Sequence, residues 1–357
     1  MTRILVTGGT GFIGQHLVAT LAAQGQRVRV LDLRPPGRAL PDVHYVEGSV
    51  LDPDLVDHAL EGVEQVYHLA GLPGMWTPRK KDFQAVNCDG TQIVIAAARK
   101  RGVARFLHCS TESILFHPSP SENAVAENAS LSANDMPGPY TRSKLLAEKL
   151  AAQAAASGFP VIIGCPTMPI GPHDHSLTPP AAMLRHFLGE RLQLYLDFIV
   201  NLVDVRDAAA GLVLAMEHGQ VGHRYILGGE SIPLKKVLQL MAAISGRRSL
   251  LIPVSGRASR MTTAVMEFVA DHVTGRPPSG TVEGVRIALR ARALSIEKAQ
   301  RELGYTPRPI EPALRDTIAF LLGAGGHPEG FGPGQINPGL NPGQSSAYST
   351  VSPELPG

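Results

Sequence analysis

Ile4-Leu5-Val6-Thr7-Gly8-Gly9-Thr10-Gly11-Phe12-Ile13-Gly14 decides how the rest of the chain is read. An aliphatic run stops at a glycine cluster. Phe12, Ile13, Leu17, Val18 and Leu21 then recur at helical spacing, which predicts strand, tight turn and helix. Gly9-x-Gly11-x-x-Gly14 fits the dinucleotide fingerprint, and Gly8 adds a second reading as G-x-x-G-x-x-G. One glycine makes the turn, one lets backbone N–H groups approach a pyrophosphate, and one lets helix and strand pack closely. The helix N-terminus adds free N–H groups and a partial positive charge. A second strand ends at Asp32, near the ~20-residue spacing of the carboxylate that takes the ribose hydroxyls.

The 357 residues suffice for one large or two modest domains. A net charge of +2 gives no case for nucleic acid or an anionic surface as the main partner. Cys88, Cys109 and Cys165 lie far apart and show no C-x-x-C spacing. Reduced thiols in a cytoplasmic protein are the expectation, with no metal site. No leader-like stretch precedes the first strand, and no apolar run reaches ~18 residues, so no transmembrane helix is expected.

Strands alternate with helices onward: strands at 27–31, 44–47, 63–68, 104–109 and 161–165, helices at 53–60, 82–101 and 140–156. The alternation predicts an α/β architecture, a doubly wound parallel sheet covered on both faces. Ligands of such sheets bind beyond the carboxyl ends of the strands. That puts Gly8–Gly14, Asp32, Ser49, Ala70, Ser110, Thr111 and Pro166 at the candidate site. We place a first domain at 1–171, with later returns to the sheet near 201–217, and a smaller α/β substrate-binding domain at 172–322. The tail 323–357, rich in Gly, Pro, Ser and Asn, is expected to be disordered.

Tyr140-Thr-Arg-Ser-Lys144 is the second strong feature: Tyr and Lys at i, i+4 share a helix face. A phenol titrates near ~10, and a neighbouring ammonium favours the phenolate. The pair can exchange a proton with a substrate hydroxyl or carbonyl.

Together these elements resemble the extended short-chain dehydrogenase/reductases of the NAD-dependent epimerase/dehydratase family. The carriers are T-G-G-T-G-F-I-G at 7–14, Asp32, H-L-A-G at 68–71, N-C-D-G-T at 87–91, C-S-T at 109–111, Y-T-R-S-K at 140–144 and P-T-M-P-I-G-P at 166–172. Within that branch, N-L-V-D-V at 201–205, R-Y-I-L-G-G-E at 224–230 and E-L-G-Y-T-P at 302–307 resemble the hopanoid-associated sugar epimerases, dihydroflavonol reductases and 3β-hydroxysteroid dehydrogenases. The resemblance implies a Rossmann-type fold and assigns roles by position. Tyr140 is the acid/base. Lys144 holds the nicotinamide ribose and depresses the Tyr140 pKa. Thr111 orients the substrate oxygen, with Ser110 as fallback. Gly8, Gly11, Phe12, Ile13 and Gly14 hold the pyrophosphate and Asp32 the adenosine ribose. Leu69, Ala70, Gly71 and Asn87 line the cofactor, and Pro166 covers the nicotinamide. Where the family often has an adenine-contacting Asp, this chain has Ser49 and Val50; Asp52 is either that contact or a helix-start residue. A homodimer through helices including that of Tyr140 is also implied.

Asp32 would repel a 2′-phosphate, whereas Arg34, two residues further on, could contact one; the carboxylate sits closer to the ribose in this fold, so NAD is favoured over NADP. Sugar-nucleotide epimerases usually present an Arg just before the strand that here reads Asn201-Leu202-Val203. This chain has Val200 there. Met75, Trp76, Thr111, Ser113, Met168 and Ile170, with Phe187 and Phe198, are candidate pocket walls. Together they suit a sterol, triterpenoid or other lipid alcohol. The expected reaction interconverts a secondary alcohol and a ketone. On a carbinol bearing a neighbouring carboxylate, the oxidised product is a β-keto acid that loses carbon dioxide without further catalytic residues. The alternatives are a nucleotide-sugar epimerase/dehydratase and a nicotinamide-sensing regulator without catalysis. His173 and His175 read as lid residues. The segment 250–273 reads as packed against the second domain, with a membrane surface as the alternative.

Overall fold

The computed structural model describes residues 1–119, 124–189, 192–247 and 249–323. The first half runs β1 (Arg3–Thr7), α1 (Phe12–Ala23), β2 (Arg27–Asp32), β3 (Val43–Glu47), α2 (Pro53–Ala59), β4 (Gln65–His68), α3 (Lys81–Phe83), α4 (Gly90–Lys100), β5 (Arg105–Cys109), α5 (Pro139–Ala156) and β6 (Val161–Pro166). The second half runs β7 (Met168–Ile170), α6 (Pro179–Gly189), β8 (Leu192–Tyr195), β9 (Ile199–Asp204), α7 (Val205–His218), β10 (Arg224–Leu227), β11 (Glu230–Pro233), α8 (Leu234–Ser245), β12 (Leu250–Pro253), α9 (Gly256–Val269), α10 (Val282–Arg290), α11 (Glu297–Leu303) and α12 (Ile310–Leu321).

Seven parallel strands form the main sheet in the order β10-β6-β5-β4-β1-β2-β3. Alternation along β1 and β2 sorts side chains between two layers. Ile4, Val6, Val28 and Val30 pack with Leu17, Leu21, Leu212 and Met216 of α1 and α7. Leu5 and Leu31 face the opposite way, into the layer that α2, α4 and α5 cover with Val56, Val94 and Ala151. The strand order reverses at β1, with β2–β3 laid down on one side and β4–β5 on the other, so the connections leaving β1 and β4 diverge there. That switch point opens a crevice above the carboxyl ends.

The chain's return to the large sheet takes two forms: α7 covers its face, and β10 adds its edge strand beside β6. The 199–204 strand belongs elsewhere, to a three-stranded sheet β11-β9-β7 whose core includes Leu184, Leu202, Leu238 and Leu314. A parallel pair, β12-β8, completes the second half. The Gly/Pro-rich tail expected beyond 323 lies outside the described residues.

The segment 250–273 departs from the packed reading. α9 buries only Thr263 and packs chiefly on α10, while Met261, Val265, Met266, Phe268 and Val269 face outward. The apolar periodicity is real, but the stripe covering the second domain is a narrow, largely polar one.

Candidate active site

The glycine turn is built as its chemistry requires. Gly8 has φ +71°, and a Cβ there would lie 2.6 Å from the Ala70 nitrogen. A Cβ on Gly14 would lie 2.2 Å from the Gly8 carbonyl oxygen, so the first turn of α1 can approach β1 only as glycine. The Asp32 carboxylate closes the far side, accepting from Thr10 N at 3.0 Å and Arg34 N at 3.3 Å. This cradle fits a dinucleotide: a bare backbone turn at a helix N-terminus with an acid at the end of β2. Phe12 is buried and Ile13 half-buried on α1, directly after the turn.

A buried polar chain ties this turn to the next loop. The Thr7 hydroxyl hydrogen-bonds His68 Nδ1 at 2.7 Å and accepts from Ala70 N at 3.3 Å. On the other side His68 Nε2 meets the Thr91 hydroxyl at 2.9 Å, and that hydroxyl donates to the Asn87 carbonyl at 2.6 Å. Thr91 must therefore accept from His68 Nε2–H, leaving Nδ1 to accept from Thr7. Burial pushes His68 down to about 3, so it is neutral. Asn87 sits in a π-helical turn, Gln84–Asp89, which inserts between α3 and α4. Its Oδ1 accepts from Leu72 N at 2.7 Å, and its Nδ2 donates to Ser143 Oγ at 2.9 Å. These contacts fix the Leu69–Gly71 loop between the glycine turn and α5. They also give physical reasons for His68, Asn87 and Thr91, which sequence patterns alone did not supply.

Thr111, Tyr140 and Lys144 converge above β5. The Tyr140 side chain lies beside Thr111, and its ring meets Phe83 edge-on at 5.9 Å. Lys144 Nζ, one turn along α5, donates to the Cys109 carbonyl at 2.8 Å. Ser113 Oγ lies 2.9 Å from Thr111 Oγ1. Ser110, the fallback, is committed elsewhere: its hydroxyl donates to buried Glu148, which Arg224 also holds. The expected lowering of the phenol pKa by Lys144 is corrected here. The Tyr140 phenol is raised above its ordinary value, first by burial and then by the neighbouring Glu112 carboxyl. Burial lowers Lys144 itself.

Two acids escaped sequence reasoning. Glu112 opens a 3₁₀ turn, Glu112–Ile114, and accepts from the Thr111 hydroxyl at 3.1 Å. Burial pushes its carboxyl up to about 7. Its signal was its position beside Thr111. Glu283 comes from α10, yet it caps the N-terminus of α5, accepting from Thr141 N at 2.8 Å, Thr141 Oγ1 at 2.7 Å and Tyr140 N at 3.2 Å. No local pattern points to so distant a cap.

The remaining candidates separate. Ser49 Oγ accepts from Leu51 N at 3.1 Å, Val50 is buried, and Asp52 is the N-cap of α2. Pro166 ends β6 inside the sheet. Met75 packs with the cluster of Ile114, Leu115 and Met136 beside the site. Trp76 turns away to donate from Nε1 to Asp271 at 2.7 Å. Ile170 is a correction: at 0% exposure, its side chain is sealed in the small core, and Phe187 is buried there too. Met168 and Phe198 are half-buried at that core's margin. The His173 carbonyl accepts from Gln15 Nε2 at 2.8 Å, and the His173 and His175 rings both meet Phe320 edge-on. They join α1 to α12.

The model of the family described as "NAD dependent epimerase/dehydratase family" matches residues 4–228. A putative dihydroflavonol 4-reductase of Synechocystis sp. is 32% identical over 333 residues, covering 90% of this chain and 94% of that protein. Sterol demethylase protein B of Methylococcus capsulatus is 28% identical over 89% of this chain and 97% of its own length. The crystal structure of gox2253 superposes with a TM-score of 0.78 at 31% identity, covering 91% of this chain and 99% of that one.

Proposed function

We propose that this chain, which belongs to the NAD-dependent epimerase/dehydratase family, is an NAD-dependent oxidoreductase that interconverts a secondary alcohol and a ketone on a lipid-like substrate of sterol or triterpenoid type. The observation that carries the reaction is the placement of Tyr140 beside Thr111 above β5, with Lys144 one helical turn away.

When bound, the nicotinamide supplies or accepts the hydride. The Gly8–Gly14 turn and Asp32 would hold the dinucleotide, and the Asp32 carboxylate disfavours a 2′-phosphate. Thr111 hydrogen-bonds the substrate oxygen and fixes its position. The Tyr140 phenol is protonated at neutral pH, because burial and Glu112 hold its pKa high. It therefore acts as proton donor to a carbonyl oxygen that becomes a hydroxyl, and the reverse reaction returns that proton to the phenolate. Asn87, through Ser143 and Leu72, holds the loop and helix that frame this step.

The substrate reading rests on β9. Val200 is fully buried, and Asn201 spends its side chain on Gly229 and Ser231. A guanidinium clamp for a diphosphate is missing from the position where sugar-nucleotide enzymes usually present it. Met75 and the Ile114–Leu115 cluster supply apolar wall instead.

The test is twofold. Cofactor released by denaturing the purified protein is identified and counted, and NADH formation at 340 nm is followed with a panel of sterol and triterpenoid alcohols. Turnover on the panel by protein that binds added NAD supports the proposal. Near-stoichiometric retained NAD with turnover only on nucleotide sugars overturns it in favour of an epimerase.

A further inference from the structure

Fifteen large apolar side chains are exposed among the described residues, and ten of them come from 192–194 and 250–273. Leu192 pairs with Leu250 and Leu194 with Ile252 across β8 and β12, so all four stand on one face of that ribbon. Two residues after β12 comes α9. Met261, Val265 and Phe268, at i, i+4 and i+7, form one outward stripe and are 73, 64 and 61% exposed. Soluble surfaces rarely concentrate apolar area in this way without a partner.

Charge on the same segment is sorted by side. Glu267 is half-buried, turned inward near Lys80. Asp271 accepts from Trp76 and pairs with Lys80 at 3.1 Å. Both acids are thus directed toward the protein. Arg257, Arg260 and Arg276 are exposed, and among the described residues none has a carboxylate within ion-pair distance. An outward face of Met, Val and Phe rimmed by unpaired arginines matches the interfacial zone of an anionic bilayer. A second copy of this chain would set arginine against arginine across a two-fold axis.

We propose that α9, with the apolar face of the β8–β12 ribbon, docks this enzyme onto an anionic lipid surface. The docked segment is mechanically joined to the site. Asp271, two residues after α9, holds Trp76, whose neighbour Met75 packs on the Ile114–Leu115 cluster beside the site, and α10 carries the Glu283 cap of α5. This inference concerns where the protein sits and stands apart from the choice of substrate.

The experiment is flotation of the full chain with large unilamellar vesicles, phosphatidylcholine alone or mixed with phosphatidylglycerol. The expected result is flotation with the anionic vesicles, at least about tenfold weaker partitioning to neutral ones, and loss in high salt. Phe268→Ser with Val265→Ser should lower partitioning at least about tenfold, and Arg257→Glu with Arg260→Glu should abolish the anionic preference. All four positions are exposed, so unchanged thermal unfolding checks that the fold persists. The proposal is overturned if wild type stays unbound with both vesicles, or if either variant floats as wild type does. It is also overturned if light scattering shows a dimer that Phe268→Ser splits, since a second copy would then cover the face.

Discussion

Replacing Glu112 by Gln tests the electrostatics of the site without changing its shape. The carboxyl has an ordinary value of 4.5, and burial pushes it up to about 7 in the folded protein. Between those two values the folded chain carries a proton that the unfolded chain has released. Stability therefore falls as pH rises through that window and levels off above it. At about 1.4 kcal/mol per pH unit, the gap amounts to about 3 kcal/mol. Glutamine has no proton to release and still accepts from the Thr111 hydroxyl. Urea unfolding of both proteins at pH 4.5 and pH 8.5 gives the comparison; the imidazoles of His68 on β4 and His108 on β5, both lowered by burial, titrate alike in the two proteins and cancel in the difference. The variant should gain about 3 kcal/mol on wild type between the two pH values. A difference constant within about 0.5 kcal/mol would mean that the carboxyl titrates normally and that the site is wetter than its burial implies. A kinetic consequence follows, because Glu112 raises Tyr140. In the alcohol-to-ketone direction, the rising limb of the pH–rate profile should move to lower pH in Glu112→Gln.

Tyr140→Phe should lower turnover by about 10²–10⁴-fold with unfolding unchanged within about 1 kcal/mol, read by steady-state kinetics beside a melt. Gly14→Ala places a Cβ against the Gly8 carbonyl at 2.2 Å, so NAD affinity measured by calorimetry should fall at least tenfold together with the melting temperature. Asp32→Ala should weaken NAD binding and narrow its preference over NADP, measured as the ratio of the two dissociation constants. Glu283→Ala removes three hydrogen bonds to the start of α5 and should cost about 1.5–3 kcal/mol by urea unfolding, with turnover reduced as well.

The large sheet was legible because its signals are local. Glycines end β1, an acid ends β2, and the short, β-branched run Val161–Pro166 suits a strand buried on both faces. Tyr140 and Lys144 were readable for the same reason, since one helix carries both. What was not legible depends on contacts across the chain. The composition of 224–230 does not say that Arg224–Leu227 becomes the seventh strand, because a short apolar segment suits either sheet. Ile170 and Phe187 read equally as pocket wall or core, and only packing against Leu184 and Leu202 decides it. The apolar residues of α9 had the opposite fate: helical periodicity states that a stripe exists but not whether anything covers it. The shift at Tyr140 is not written in the Tyr-x-x-x-Lys spacing, because it comes first from burial and then from Glu112.

The cap that Glu283 places on α5 bears on how such a protein can be taken apart or recombined. The two halves look like exchangeable modules, one for the dinucleotide and one for the substrate. Yet the first turn of the tyrosine's helix is completed by an acid 142 residues downstream of Thr141. A chimera that joins this first half to another second half inherits an open helix start unless the incoming part brings an acid to the same place. Swapping pockets by domain shuffling is therefore constrained at Glu283 before any pocket residue is considered.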